Sequence, residues 1–214
     1  MPLDAPPEAR APDEADGGET PVEPTSARHR RRRSVIEWLA VVGAAVVLSL
    51  VVRSYLLEVF WIPSASMEAT LSTGDRVVVD RLSYRLHGVH RGDVVVLARP
   101  PLLDDPTVKD LVKRVVALPG ERVAVHDGHV FIDGRQLVEP YTRGLPTDLH
   151  VCAPDYGHGL DRASGLLVPP GEVLLLGDNR TNSQDGRCFG PVSTKLIVGR
   201  ATFRIWPPGR LGRL

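Results

Sequence analysis

Lysine is the residue type whose placement most suggests chemistry in this chain. The sequence has 26 Lys and Arg residues together, of which only Lys109, Lys113 and Lys195 are lysine. Arginine keeps its proton in proteins, whereas a buried lysine can lose it and act as a base. Lys113 lies in an apolar run, residues 111–118, that predicts a strand and a desolvating environment. From the strand alone, an outward-facing lysine is the alternative.

Two serines provide a further candidate for chemistry. Ser64 and Ser66 are separated by one residue and follow Pro63, just beyond a long apolar run. On its own this segment could equally be a simple linker. The sequence has no Gly-x-Ser-x-Gly nucleophile elbow and no His-Glu-x-x-His zinc pair.

The remaining candidate ligands do not indicate a metal site, and we predict neither metal nor cofactor. His87 and His90 fit a solvated turn, and two cysteines lack the second pair that a structural zinc would need. Outside the cytoplasm Cys152 and Cys188 could form a disulfide. Spacing along the chain says nothing of distance in space, so a disulfide and free thiols are equally open.

Short strands are the elements that would position these residues. They are rich in β-branched residues and separated by Gly, Pro or Asp-Gly turns. The predicted strands are residues 76–79, 93–97, 111–118, 122–125, 129–132, 172–176 and 196–203. Asp127-Gly128 and Asp133-Gly134 predict hairpin turns. The pattern favours a mainly β protein with an antiparallel sheet, and the polar residues 140–170 predict a surface insert.

The first third of the chain predicts a membrane anchor. Residues 1–33 resemble a disordered tail that ends in a polybasic block, and residues 34–57 are long and apolar enough for a single transmembrane helix. A buried core helix and a cleaved secretion signal are the alternatives. The positive-inside rule would place the N-terminus in the cytoplasm and a catalytic domain, residues 58–214, outside.

The charge balance argues against one class of partner. The formal net charge is zero, so the chain has no overall bias towards nucleic acid, and we predict no nucleic-acid partner. The arginine block could be a nucleic-acid patch or a nuclear address, but the neighbouring apolar run favours the lipid bilayer as partner. Phe60, Trp61 and Trp206 could rest the domain on the lipid.

Several segments resemble the signature boxes of bacterial type I signal peptidases, a family of Ser-Lys serine proteases. They follow in the family's order, and the likeness extends over nearly all of residues 35–205. The boxes are PSASM at 63–67, GDRVVVD at 74–80, KRVVALPGE at 113–121 and GDNRTNSQDGR at 177–187.

The resemblance implies a catalytic role for four residues. Ser66 would be the nucleophile and Lys113 its general base, in a mechanism that passes through an acyl-enzyme. Ser183 would orient Lys113, and the Ser64 hydroxyl would complete the oxyanion hole.

The resemblance also implies the surroundings of these four residues. Gly177 would leave room for Lys113 and Ser183, and Asp185 would form an ion pair with Arg187. Arg114 would support the site, whereas a local turn role is as good as a catalytic one for Asp178, Asn179 and Arg180.

The implied substrate is a secretory preprotein whose signal peptide has small residues before the cut. It would bind in an extended form by strand addition, near the membrane surface. The residues that match the family's substrate pockets are Ile62, Pro63, Met67, Leu111 and Val112. Two other function classes stay open: a Ser-Lys protease that cleaves a specific partner or itself, and a catalytically silent, membrane-tethered binding module.

Overall fold

The apolar runs of the sequence form an antiparallel β fold, as predicted. The structure is a computed structural model that describes residues 25–103, 105–152 and 159–214. The chain divides into two compact units, residues 1–48 and 49–214. Every strand in the described ranges lies in the second unit.

The large sheet contains eight strands in the order β1-β2-β11-β3-β4-β9-β10, with β12 paired to β11. All of its pairings are antiparallel. Its strands are β1 (Leu57–Trp61), β2 (Arg76–Asp80), β3 (Val94–Ala98), β4 (Asp110–Ala117), β9 (Glu172–Leu176), β10 (Val192–Ser193), β11 (Ile197–Trp206) and β12 (Gly212–Arg213).

The small sheet contains four strands in the order β7-β6-β5-β8. They are β5 (Arg122–His126), β6 (His129–Ile132), β7 (Arg135–Gln136) and β8 (Leu166–Leu167). Both predicted hairpin turns are present. Asp127 and Asp133 have φ values of 49°, and the glycine after each has a φ of 76°. Two successive positive φ angles favour Asp-Gly in the turn of a hairpin.

The large sheet is buried on both faces around β3. Val94 and Val96 pack in one apolar cluster, whereas Val95 and Leu97 pack in another. Because side chains alternate along a strand, a strand between two cores must be apolar at every position. This explains the unbroken apolar run in β3. A third cluster lies between the small sheet and the ends of β4 and β9.

The N-terminal helix α1 (Thr25–Leu56) precedes β1. Its described apolar side chains, such as Trp38 and Leu39, are exposed. Within the described residues, no helix has the length and apolar character needed to cross a membrane. The transmembrane helix predicted at 34–57 is therefore not confirmed, and Leu57 begins β1. Most of the predicted tail, residues 1–24, lies outside the described residues.

Two short helices and several turns connect the strands. The helices are α2 (Ser83–Leu86) and α3 (Gly186–Phe189), and the 3₁₀ turns are Ala65–Met67, Pro140–Thr142, Thr194–Leu196 and Pro208–Arg210. The segment predicted as an insert, residues 140–170, consists mainly of turns where it is described. Its end forms β8, which pairs with β5, so this part of the segment belongs to the small sheet.

Candidate active site

Three segments that are distant in sequence meet near the middle of β4. The 3₁₀ turn Ala65–Met67 follows β1 and packs against β4. On the other side, β9 pairs with β4 from Arg114, opposite Leu176, towards Ala117. Immediately after Leu176 the chain leaves the sheet at Gly177 and begins the loop to α3. Because Leu176 at the end of β9 pairs with Arg114, the loop that follows β9 lies beside Lys113.

Lys113 is buried, with 1% of its surface exposed, in contrast to the outward-facing alternative. Its Nζ donates a hydrogen bond of 3.0 Å to Oγ of Ser183. Burial disfavours the charged amine and lowers the pKa of Lys113 from 10.5 to about 8. The carboxylates of Asp185 and Asp178 oppose this shift, whereas the positive charge of Arg187 adds to it. A lysine with such a pKa can accept a proton at a mildly alkaline pH.

The hydroxyls of Ser64, which directly precedes the 3₁₀ turn, and Ser66, which lies in it, are close together. The Ser64 hydroxyl donates a hydrogen bond of 3.2 Å to Oγ of Ser66. The turn is anchored by Met67, which is 1% exposed and packs in an apolar cluster with Ile62. Ser66 itself is only partly buried.

Asn179 holds the backbone of this turn, a role that the sequence did not reveal. Its backbone N–H donates to the Ser66 carbonyl at 3.1 Å, and its side-chain Nδ2 donates to the Ala65 carbonyl at 3.1 Å. Both contacts link positions more than a hundred residues apart, so local spacing could not indicate them. The only available signal was the position of Asn179 in the last signature box.

Gly177 lies where a side chain would not fit. A Cβ at this position would come within 2.5 Å of Oγ and Cβ of Ser183 and of the Ser66 carbonyl oxygen. The predicted crowding of Ser183 is thus present. The space left free by this glycine also lets the segments of Ser66 and Ser183 approach each other.

We expect Gly177→Ala to lower kcat/KM roughly a hundredfold, since displacements of about 1 Å at a reacting centre can have this effect. The added methyl group must push Ser183 or Ser66 aside. Peptide cleavage by the purified variant measures the loss, and thermal unfolding checks that the variant is folded. Gly209→Ala is the matched control, because a Cβ there meets open space. Equal activity of the Gly177→Ala variant and the wild type would contradict the expected crowding.

Asp185 and Arg187 form the predicted ion pair, and both side chains are fully buried. Asp185 also accepts a hydrogen bond of 2.8 Å from the Gly177 N–H. Burial by itself raises the pKa of Asp185, but the hydrogen bonds and charge of Arg187, with the charge of Lys113, hold it below its ordinary value. The carboxylate therefore stays charged and fixes the start of the loop.

Arg114 forms a second buried ion pair beside the site. Its guanidinium donates to both oxygens of Asp178, at 2.8 and 2.7 Å. Thr70 donates to the same carboxylate at 2.5 Å. Asp178 therefore joins β4, its own loop and the segment after Ser66, which is more than the local turn role that the sequence left open.

A pocket of about 280 Å³ opens beside the two serines. Its lining includes all five residues predicted to contact substrate, namely Ile62, Pro63, Met67, Leu111 and Val112. The sequence did not single out Val108 and Asp110, which also line it. Residues 110–113 of β4 pair with β3, whereas the described pairing with β9 begins only at Arg114. One edge of this part of β4 is thus available to an added strand.

Cys152 and Cys188 form a disulfide, which decides the question that the sequence left open. Their Cα atoms lie 5.3 Å apart, within the range that a disulfide requires. Cys188 lies in α3, directly after Arg187. The disulfide therefore joins the described first part of the predicted insert to α3, the helix that follows the loop of Ser183.

Comparison with known proteins identifies the class of this protein. The model of the family "Signal peptidase, peptidase S26" matches residues 35–206, most of the chain. The chain is a serine endopeptidase, and it belongs to the signal peptidase family, peptidase S26.

Two relatives in particular agree with this assignment. Signal peptidase I of Leptolyngbya laminosa is 36% identical over 197 residues, which cover 91% of each chain. Signal peptidase IB of Staphylococcus aureus strain COL is 32% identical over 184 residues, 82% of this chain and 92% of the relative. A crystal structure of a signal peptidase I from Enterococcus faecalis V583 matches with 29% identity and a TM-score of 0.41, covering 54% of this chain and 98% of that chain.

Proposed function

We propose that this protein removes N-terminal signal peptides from exported preproteins, using Ser66 as nucleophile and Lys113 as general base. The observation that carries the proposal is the buried Lys113 amine, whose pKa is lowered to about 8 and whose Nζ lies 3.0 Å from Ser183. The names of the relatives support the substrate class.

The proposed reaction begins with proton transfer from Ser66 to the neutral amine of Lys113. Oγ of Ser66 attacks the carbonyl carbon of the scissile bond as its proton passes to Nζ. The resulting ammonium gives this proton to the leaving amine, and an acyl-enzyme remains. Lys113, neutral again, then takes a proton from a water molecule that attacks the ester. The ammonium returns this proton to Oγ of Ser66 as the ester bond breaks, and the signal peptide leaves with a free carboxylate.

Neighbouring groups are proposed to position these two residues. Ser183 accepts a hydrogen bond from Nζ and so fixes the direction in which the amine points. The Ser64 hydroxyl, 3.2 Å from Oγ of Ser66, and the Ser66 backbone N–H would donate to the oxygen that becomes negatively charged. Gly177, Arg114 and the pair Asp185–Arg187 would support this arrangement.

The preprotein is proposed to bind as an added strand along residues 110–113 of β4. The unpaired edge there supplies backbone hydrogen bonds, and the pocket lined by Ile62, Leu111 and other apolar residues accepts small side chains before the cut. This arrangement would place a carbonyl carbon of the extended peptide beside Ser66.

We also propose that the protein is associated with the cell membrane, through the predicted span at 34–57 in a single-pass, N-in orientation. The exposed apolar side chains of α1 support contact with lipid. Trp61 in β1 and Trp206 in β11, 58% and 49% exposed, lie on the two strands that flank β2 and could rest on the bilayer. Phe60 instead packs partly against the core. Flotation of the full chain with liposomes tests this part, and a chain that stays at the bottom of the gradient would refute it.

The pH dependence of cleavage tests the proposed function. Only the neutral amine can accept the Ser66 proton, so activity is lost as the pH falls through the pKa of Lys113. We expect kcat/KM to decrease about tenfold for each pH unit below about 8. The assay uses the full chain in detergent and a preprotein with small residues before the cut. A folded enzyme that cleaves equally well from pH 6 to 9 would exclude Lys113 as the base.

A further inference from the structure

Residues 139–152, which we call the strap, contact the segments that carry the proposed catalytic site. The strap comprises the start of the predicted insert and contains no residue assigned to the reaction. It nevertheless contacts the segment after Ser66, the strand of Lys113 and the loop of Ser183. A surface segment with no role would not be expected to contact all three.

The contacts with the loop of Ser183 pass through two buried arginines. Arg180, 1% exposed, donates to both carboxylate oxygens of Glu139, at 3.0 and 2.5 Å, and to the Thr147 hydroxyl at 2.6 Å. Arg187, fully buried, donates to the Asp148 carbonyl at 2.6 Å. The strap thus supplies several acceptors for guanidinium groups that have no access to water.

The same arginines hold the backbone around Ser183. Arg180 donates to the Gly177 carbonyl at 3.0 Å, and Arg187 donates to the Arg180 and Ser183 carbonyls at 2.5 and 3.3 Å. Ser183 in turn accepts the hydrogen bond from Lys113. A continuous set of contacts therefore runs from the strap through the arginines to the amine.

Two further contacts reach the other segments of the site. The ring of Tyr141 lies 4.2 Å from the guanidinium of Arg114, the residue next to Lys113, and its hydroxyl donates to Glu139 at 2.8 Å. Arg143 donates to the Ala69 carbonyl at 2.9 Å, shortly after the Ser66 turn. The strap therefore contacts the segments on both sides of the proposed dyad.

The Cys152–Cys188 disulfide fastens the end of the strap to α3. Both cysteines are partly exposed, so a small dithiol can reach them. Reduction takes two electrons and two protons from the dithiol, which becomes a cyclic disulfide, and leaves two cysteine thiols. Opening this bond frees the strap from the residue that follows Arg187.

We propose that the strap is a positioning element for the Ser66–Lys113 site, and that the Cys152–Cys188 disulfide holds it in place. This inference rests on the proposed function. When the strap loosens, the buried arginines lose acceptors, and a buried charge without its partners is strongly unfavourable. The loop must then move to restore those contacts, and Ser183 moves with it.

The first test is cleavage by the full chain in detergent before and after treatment with dithiothreitol, with active sites counted by a serine-reactive label. We expect reduction to lower kcat per active site about tenfold, with little change in KM, because misplaced catalytic groups act on the chemical step. Water entering around Lys113 would also move the acidic limb of the pH profile to higher pH. Reoxidation should restore both values, and the Cys152→Ser/Cys188→Ser double variant should not respond to the dithiol.

A second variant keeps the test independent of the folding of the cysteine variants. Tyr141→Phe removes the hydrogen bond to Glu139. It should reduce kcat and move the acidic limb of the pH profile to higher pH, as reduction of the disulfide does. Tyr84→Phe is the matched control, because it removes a similar hydroxyl–carboxylate contact, to Asp93, from a tyrosine outside the site. It should leave both quantities unchanged.

The possible outcomes separate this inference from the proposed function. If the untreated wild type cleaves nothing, the proposed function fails. If the wild type cleaves but reduction and Tyr141→Phe leave kcat per active site and the pH limb unchanged, the strap inference is overturned and the proposed function stands. If cleavage activity falls only in proportion to the number of labelled active sites, kcat per active site is unchanged. That outcome would also overturn the inference, because the strap would then contribute to stability alone.

Discussion

Replacing Lys113 by methionine is expected to lower peptide cleavage about 10⁴-fold or more, as removal of the nucleophile or base does in serine proteases. Methionine has a similar length but cannot accept the Ser66 proton. Because burial of the ammonium is unfavourable, which is why the pKa of Lys113 falls to about 8, the apolar variant should fold at least as stably as the wild type. Single-turnover cleavage and thermal unfolding measure the two effects.

The other two lysines provide matched controls for this prediction. Lys109 and Lys195 are exposed, and the same substitution by methionine there should leave cleavage almost unchanged. Lys113→Arg should be as inactive as Lys113→Met, since arginine keeps its proton. Cleavage by a folded Lys113→Met variant at a rate near that of the wild type would show that another group is the base.

Ser66→Ala is the second substitution with a very large expected effect. It removes the hydroxyl that we propose to attack the substrate, so no acyl-enzyme can form, and we expect cleavage to fall by about 10⁴-fold or more. Alanine is smaller and carries no polar group, and the turn keeps its anchor at Met67. The variant should therefore fold normally, and mass spectrometry after a serine-reactive label should detect no adduct.

Ser64→Ala is the matched control, since it removes the same group two residues away. Loss of a single oxyanion donor typically costs about 10²–10³ in rate, so this variant should be slow but still form the adduct. Equal losses in the two variants would make the proposed division of roles untenable. Labelling of Ser66→Ala at another serine would point to a different nucleophile.

Local sequence patterns predicted most of the strands. The seven predicted strands are all present, with shifts of at most a few residues at their ends. Strand alternation and Asp-Gly turns depend on adjacent residues, so the sequence displays them directly. Five of the described strands were not predicted. β7, β8, β10 and β12 have two residues each, which are too few to show a period, and β1 continues directly from the apolar run that predicted a membrane helix.

In the candidate site, too, some features were predictable from local sequence and others depend on packing. Residue types and signature boxes were enough to select Ser66, Lys113 and Ser183 as candidates, since their chemistry belongs to individual side chains. Whether Lys113 faces outward or inward was not decidable, because burial depends on what packs over the strand. Likewise, the contacts of Asn179 with Ala65 and Ser66 join positions that only the folded chain brings together.

The sequence by itself therefore determined the β class, the hairpins, the family resemblance and the candidate catalytic groups. Only the tertiary structure decided the lowered pKa of Lys113, the Cys152–Cys188 disulfide and the contacts of the strap with Arg180 and Arg187. The reason is physical. Periodicity and turn chemistry arise between neighbouring residues, whereas desolvation and long-range pairing arise from the packing of segments that lie far apart in the chain.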